Sequence, residues 1–152
     1  MRILVIGGVA AGTKAAAKIK REDRSAEVII LNKGQDISYA GCGLPYYVGG
    51  AIGSREELIV NTPQKYAGLT GAQVITGCEV THVDPAAKTV SGLRDGQNFT
   101  EHYDKLIVAT GAAPVVPDMP GKNLPGVFPM RTPDDAVGLR DYVATNNCRR
   151  AV

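Results

Sequence analysis

Over the first third of the chain, short continuous apolar runs alternate with longer amphipathic stretches. Arg2–Ile6 and Glu27–Leu31 are almost wholly apolar, the pattern of strands buried on both faces of a sheet. Between them, an alanine-rich stretch from about Gly12 to Glu22 has helical spacing, with Ala15, Ala16 and Ile19 on one side and Lys14, Lys18 and Arg21 on the other. Strand, helix and strand form one crossover unit, right-handed in nearly all proteins, and predict a parallel sheet. Cys42–Gly50 reads as a short helix with Pro45 in its first turn. Thr62-Pro63 reads as an N-cap followed by proline at the first helical position, opening a helix to about Leu69.

From Gln73 the period shortens to two. Gln73–Ile75, Glu79–Asp84, Thr89–Leu93 and Asn98–Tyr103 alternate, broken by Asp84-Pro85 and Asp95-Gly96 turn signals, and predict an inserted antiparallel β-meander. Lys105–Ala109 returns to the doubly buried pattern. Pro114–Pro129, rich in proline and glycine, reads as an ordered connection. Thr132-Pro133-Asp134-Asp135 is a helix start with its acids at the positive end of the dipole. Asn146-Asn147 closes that helix, and Arg149–Val152 reads as the opening of a further strand. The fold class is α/β.

Composition narrows the function. At 152 residues, 44% apolar and 21% charged, the chain can bury a core of ordinary globular kind. A net charge of +2 gives no general attraction to nucleic acid or to a membrane surface. Ile3–Ile6 is far too short to span a bilayer, and no cleavage site follows it, so a cytoplasmic protein is expected. Cys42, Cys78 and Cys148 form no CxxC pair, and His82 and His102 complete no zinc pattern. Neither a structural metal nor a disulfide framework is expected.

The chemistry begins at Gly7-Gly8-Val9-Ala10-Ala11-Gly12. A glycine turn between a buried strand and a helix aims free backbone N–H groups and a partial positive charge at an anion, so a pyrophosphate can sit there. Gly7 permits the tight turn and Gly12 the close approach of helix and strand, while Val9 stands where GxGxxG has its middle glycine. The bland alternative is a tight turn with no ligand. At the end of the second strand a carboxylate ordinarily accepts from ribose hydroxyls, but here Asn32 precedes Lys33. An amide can accept one such bond without the charge, or can serve the turn alone. The fold expected is Rossmann-like.

Ser38-Tyr39-Ala40-Gly41-Cys42-Gly43-Leu44-Pro45-Tyr46-Tyr47 is the most specific stretch. A cysteine at a helix start is favoured as thiolate, and flanking glycines let a flat ring or a substrate approach the backbone. Cys78 and Cys148 read as small apolar residues. Together with Gly7–Gly12 and Tyr103–Ala112, this stretch resembles the single-cysteine branch of the pyridine nucleotide–disulfide oxidoreductases, over essentially all of the chain. Coenzyme A disulfide reductases and NADH-dependent persulfide reductases are the members it is most similar to. The resemblance implies an FAD-binding portion in which NADH or NADPH reduces FAD, and the flavin reduces a mixed disulfide on Cys42. It implies flavin contacts at Gly7, Gly8, Val9, Ala11, Gly12, Asn32, Lys33, Val80, Ala109, Thr110 and Gly111.

Oxidases and peroxidases of the family carry a histidine in the glycine turn. The matching residue is Ala10, which moves no proton, so a small-molecule disulfide or persulfide is favoured over oxygen or peroxide. The basic helix face of Lys14, Lys18 and Arg21 is either a solvated face or a docking strip for coenzyme A phosphates. The resemblance supports Arg21 and Ser38 as coenzyme A contacts, while Gly41 and Thr70 replace an asparagine and a lysine of the family. By the same resemblance, residues 1–148 are the N-terminal nucleotide-binding domain, incomplete because it lacks its last strand, and 149–152 begin an NADH-binding domain, in a parent expected to be a homodimer. The alternatives are an NADH oxidase or peroxidase of the same family, and a non-catalytic nucleotide-binding module.

Overall fold

The computed structural model describes residues 1–151, which fold as two compact units. The first unit comprises Met1–Tyr39 and Asn61–Gly111. In chain order it contains β1 (Arg2–Ile6), α1 (Ala11–Glu22) and β2 (Glu27–Leu31). The second unit opens on a 3₁₀ turn, Gly41–Gly43, followed by α2 (Leu44–Val48) and a 3₁₀ turn at Glu56–Leu58. Back in the first unit lie α3 (Pro63–Thr70), β3 (Gln73–Ile75), β4 (Cys78–Asp84), β5 (Thr89–Arg94), β6 (Gln97–His102) and β7 (Lys105–Val108). The second unit ends with α4 (Pro133–Thr145). The fold is α/β, with a parallel sheet and a separate antiparallel one.

The parallel sheet runs β3-β2-β1-β7, with Ile3 opposite Val28 and Ile6 opposite both Leu31 and Val108. Alternation along the strands sends residues to two different cores. Ile3, Val5, Val28 and Ile30 pack with Ala16 of α1 and Tyr66 of α3. Leu4, Ile6, Ile29 and Leu31 pack on the other face with Cys78 and Val90 of the meander, which order β4-β5-β6 forms. Helices thus cover one face and the meander the other, so the strands of this sheet are apolar on both sides.

Local signals set the boundaries. The Thr62 hydroxyl accepts from the Lys65 N–H and α3 ends at Gly71 in the left-handed region, φ +76°. Asp95 and Gly96, φ +49° and +81°, make the two-residue turn joining β5 to β6. Gly92 lies so near β4 that a Cβ there would stand 1.9 Å from the Glu79 carbonyl oxygen.

Three expectations need correction. Gln73–Ile75 does not belong to the meander: β3 pairs parallel with β2, after the crossover through α3. A strand of three residues is too short for its alternation to reveal its partner. Lys105–Ala109 is not doubly buried, since β7 is an edge strand of the sheet and Val108 is 65% exposed. The helical stretch expected from Cys42 does form: the 3₁₀ turn Gly41–Gly43 runs directly into α2, which begins at Leu44 with Pro45 in its first turn. Residues 149–151 form no strand, as a strand forms only by pairing, and Val152 lies outside the described residues.

In the second unit, Leu44, Tyr47, Leu58 and Ala136 form a small core joining α2 to α4. The segment 114–130 has no helix or strand, but Phe128 meets Tyr142 of α4 edge to face at 5.1 Å. Among the described residues, no helix is long and apolar enough to cross a membrane.

Candidate functional site

β1 delivers the chain to Gly7, whose φ of +101° only glycine adopts without strain. A Cβ on Gly7 would stand 2.2 Å from the Ala109 carbonyl oxygen, and one on Gly12 would stand 1.8 Å from the Gly7 carbonyl oxygen. Both glycines are therefore required by packing. They bring the first turn of α1 against the ends of β1 and β7. That turn has no side-chain cap at Ala10 and no acid, and Thr13 aims its hydroxyl at the Val9 and Ala10 carbonyls instead of at an amide. The helix N-terminus keeps its donors for an anion.

Asn32 is 6% exposed, and its whole side chain is engaged. Its Oδ1 accepts from the Gly8 N–H at 2.9 Å, and its Nδ2 donates to the carbonyls of Gly34 at 2.8 Å and Asp36 at 3.0 Å. It fastens the glycine turn to the loop after β2, and Ser38 adds a second fastening through its N–H to the Gly8 carbonyl, 2.9 Å. Ser38 holds φ +50°, an uncommon conformation outside glycine.

At the carboxyl ends of β1 and β2 lies a cavity of about 200 Å³, lined by residues that include Gly7, Asn32, Lys33, Glu79, Val80 and Thr110. Open parallel sheets bind their ligands at this end of the strands. The structure thus brings Gly7, Asn32, Lys33, Val80 and Thr110 to one cavity, with Gly8, Val9, Ala11 and Gly12 on the adjoining turn and helix start. Ala109 is fixed by its N–H to the Ile6 carbonyl, 2.8 Å, and Gly111 turns at φ +73°. Sequence reasoning missed Glu79, whose Oε1 pairs with the Lys33 ammonium at 2.8 Å. The available signal was the absence of a carboxylate at position 32.

On α1, Lys14, Lys18 and Arg21 are exposed, opposite buried Ala16, and Lys18 pairs with Glu22. Only Arg21 of the three lines a groove of about 590 Å³ between the C-terminal ends of α1 and α3. Its companions are Lys20, Arg24 and Thr70, all outside the expected strip. Lys20 is committed to the backbone, donating to the carbonyls of Arg24 at 2.8 Å and Ala26 at 2.9 Å. Arg21 and Arg24 are exposed and supply two guanidinium groups there.

Cys42 belongs to the second unit, exposed in the turn Gly41–Gly43. The turn closes with the Gly43 N–H on the Ala40 carbonyl at 2.9 Å, and the Ala40 N–H bonds the Leu58 carbonyl at 2.8 Å. A Cβ on Gly43 would crowd Ile52 and Leu58 at 3.2 Å, whereas Gly41 faces open space. Arg140 of α4 lies over the Tyr47 ring at 4.5 Å and donates to the Gly53 carbonyl at 3.1 Å, which ties α2 to α4. The result is an accessible thiol on a braced turn. Cys78 is different: at 2% exposed it is core, and burial pushes its thiol up, with Arg94 opposing and Glu101 and Asp95 adding.

Comparison with known proteins places the chain among its relatives. The chain is 34% identical to a Methanocaldococcus jannaschii protein named NADH oxidase, over 99% of the chain and 34% of that protein. It is 36% identical to a coenzyme A disulfide reductase of Staphylococcus epidermidis, over 74% of the chain and 26% of the relative. The solved structure of an NAD-dependent persulfide reductase from A. fulgidus superposes with a TM-score of 0.90 at 34% identity, over 95% of the chain and 27% of that structure. The chain therefore spans about a third or less of the length of these relatives. FAD and a nicotinamide nucleotide are the cofactors of the family to which residues 1–150 match, described as pyridine nucleotide-disulphide oxidoreductase. With that match over nearly its full length, the chain belongs to the pyridine nucleotide-disulphide oxidoreductase family.

Proposed function

We propose that this chain is the FAD-binding portion of an NAD(P)H-dependent reductase of disulfides or persulfides of coenzyme A type, with Cys42 as the redox-active thiol. The observation that carries the reading is the uncapped, acid-free start of α1 packed on Gly7 and Gly12 beside the cavity of Asn32, Val80 and Thr110. Those features suit a dinucleotide: the helix start for its pyrophosphate, the cavity for its nucleoside end. Asn32 suits the role of positioning the turn, because its amide is engaged by backbone on both ends. Bound FAD would supply the two-electron relay between NAD(P)H and the thiol.

In this reading the Cys42 thiolate attacks one sulfur of the substrate disulfide. The S–S bond breaks, one thiolate leaves, and a mixed disulfide remains on Cys42. Two electrons and a proton then release the second thiol and restore the Cys42 thiolate. Arg21 and Arg24 would hold phosphates of a coenzyme A substrate at the groove they line.

The relative named NADH oxidase makes oxygen the competing acceptor. Ala10 favours the thiol chemistry, since the glycine turn then holds no proton donor. In a protein of the relatives' length carrying this chain, Cys42→Ser should abolish NADH-driven disulfide reduction and leave reduction of the flavin by NADH intact. Disulfide reduction at the normal rate in that variant would remove Cys42 from the chemistry.

A further inference from the structure

We infer that Glu79 is the acceptor for the ribose hydroxyls of the bound adenine nucleotide, standing in for the carboxylate that Asn32 replaces. The inference rests on the nucleotide reading of the cavity and names a residue which that reading leaves without a role. A dinucleotide site needs an acceptor for the ribose hydroxyls, and a carboxylate does this best, because a charge-assisted bond is about twice as strong as a neutral one. The end of β2 cannot provide it. Asn32 has no charge, its Nδ2 donates to the Gly34 and Asp36 carbonyls, and its Oδ1 already accepts from Gly8.

Glu79 enters the same cavity from β4, beside Cys78 and Val80. The β4 backbone fixes where it stands: its register places Glu79 opposite Leu93, and Gly92 lets the two strands close on the Glu79 carbonyl. One carboxylate oxygen, Oε1, pairs with the Lys33 ammonium at 2.8 Å, and Lys33 is the only side-chain partner of Glu79 among the described residues. Oε2 is left for a hydroxyl donor. The pairing also answers the objection that a carboxylate repels an anionic ligand, because Lys33 neutralises Glu79 while leaving half its acceptor capacity unused. Lys33 and Glu79 sit 46 positions apart in the chain, so the pair is made by the sheet and the meander together.

ADP and 2′,3′-dideoxy-ADP, titrated into the 152-residue chain and followed by amide shifts in two-dimensional NMR, test this directly. The wild-type chain should bind ADP about tenfold more tightly than the dideoxy nucleotide. Glu79→Ala should erase that preference by weakening ADP alone, and Glu79→Gln should keep part of it. Lys33→Ala should preserve the preference while weakening both nucleotides. A full ADP preference in Glu79→Ala overturns the inference and leaves the nucleotide reading standing. Binding of neither nucleotide to the folded wild-type chain overturns both.

Discussion

The glycines at positions 7 and 12 are where a single methyl group matters most. Both hypothetical Cβ atoms fall on backbone carbonyl oxygens, at 2.2 Å and 1.8 Å, and backbone cannot swing aside as a flexible side chain does. Gly12→Ala should destabilise the chain by about 2–4 kcal/mol through overpacking and induced strain, read as a lowered midpoint in urea with little change in slope. Gly41→Ala, whose Cβ meets only open space, is the control and should unfold with the wild type. The three cysteines separate in the same way. Cys42 and Cys148 are exposed, whereas Cys78 is buried and its thiol raised by that burial. Under native conditions a neutral disulfide reagent should modify the first two and spare Cys78 until the chain unfolds, which peptide mass mapping resolves. Rapid native labelling of Cys78 would mean that the β4 core opens far more readily than its packing allows.

At the scale of elements, the start of α4 shows what local signals can do. Thr132 and Asp135 form a reciprocal cap, with the Thr132 hydroxyl accepting from the Asp135 N–H and the Asp135 carboxylate accepting from the Thr132 N–H at 2.7 Å. Thr132→Ala should cost about 1 kcal/mol, within the usual range for a lost cap. Burial pushes the Asp135 carboxyl up, but hydrogen bonds from Thr132 and Arg131 outweigh it and hold the group below its ordinary value. A carboxyl lowered on folding stabilises above its unfolded pKa, near ~3.9, and that stabilisation is lost as the pH falls through the folded value. The difference in stability between wild type and Asp135→Asn should therefore be full near neutral pH and shrink below about pH 4; a difference that grew on acidification would reverse the sign. Caps, glycine turns and the two-residue hairpin were legible in the sequence because each is decided by neighbouring residues. The membership of β3 was not, since three residues pair with whichever edge the crossover offers. Nor was the exposure of Val108, which follows from the position of β7 at a sheet edge and not from the KLIV pattern itself.

Across the whole molecule, the glycine turn and the thiol turn could be read from short motifs, but the pairing of Asn32 with Gly8 and of Glu79 with Lys33 could not. Those contacts join segments far apart in sequence, 24 and 46 positions respectively. In the proposed reaction the two units would divide the work. The first unit holds the glycine turn, the cavity proposed for the nucleoside and the basic groove, and the second holds the braced turn carrying Cys42. The first half of the proposed reaction needs neither flavin nor nicotinamide, only an attacking thiolate and a disulfide, so it can be observed with this chain alone. Reduced protein should be mixed with one equivalent of coenzyme A disulfide, and the release of thiol followed together with peptide mass mapping. One coenzyme A should be released per chain and one retained in mixed disulfide on Cys42, ahead of Cys148, which is also exposed. Arg21→Ala should slow that step by roughly tenfold, since one charge-assisted contact of ~1.4 kcal/mol is a decade, while leaving a small uncharged disulfide unaffected. Equal modification of Cys42 and Cys148, or undiminished thiol release from Cys42→Ser, would contradict the assignment of Cys42 as the redox thiol.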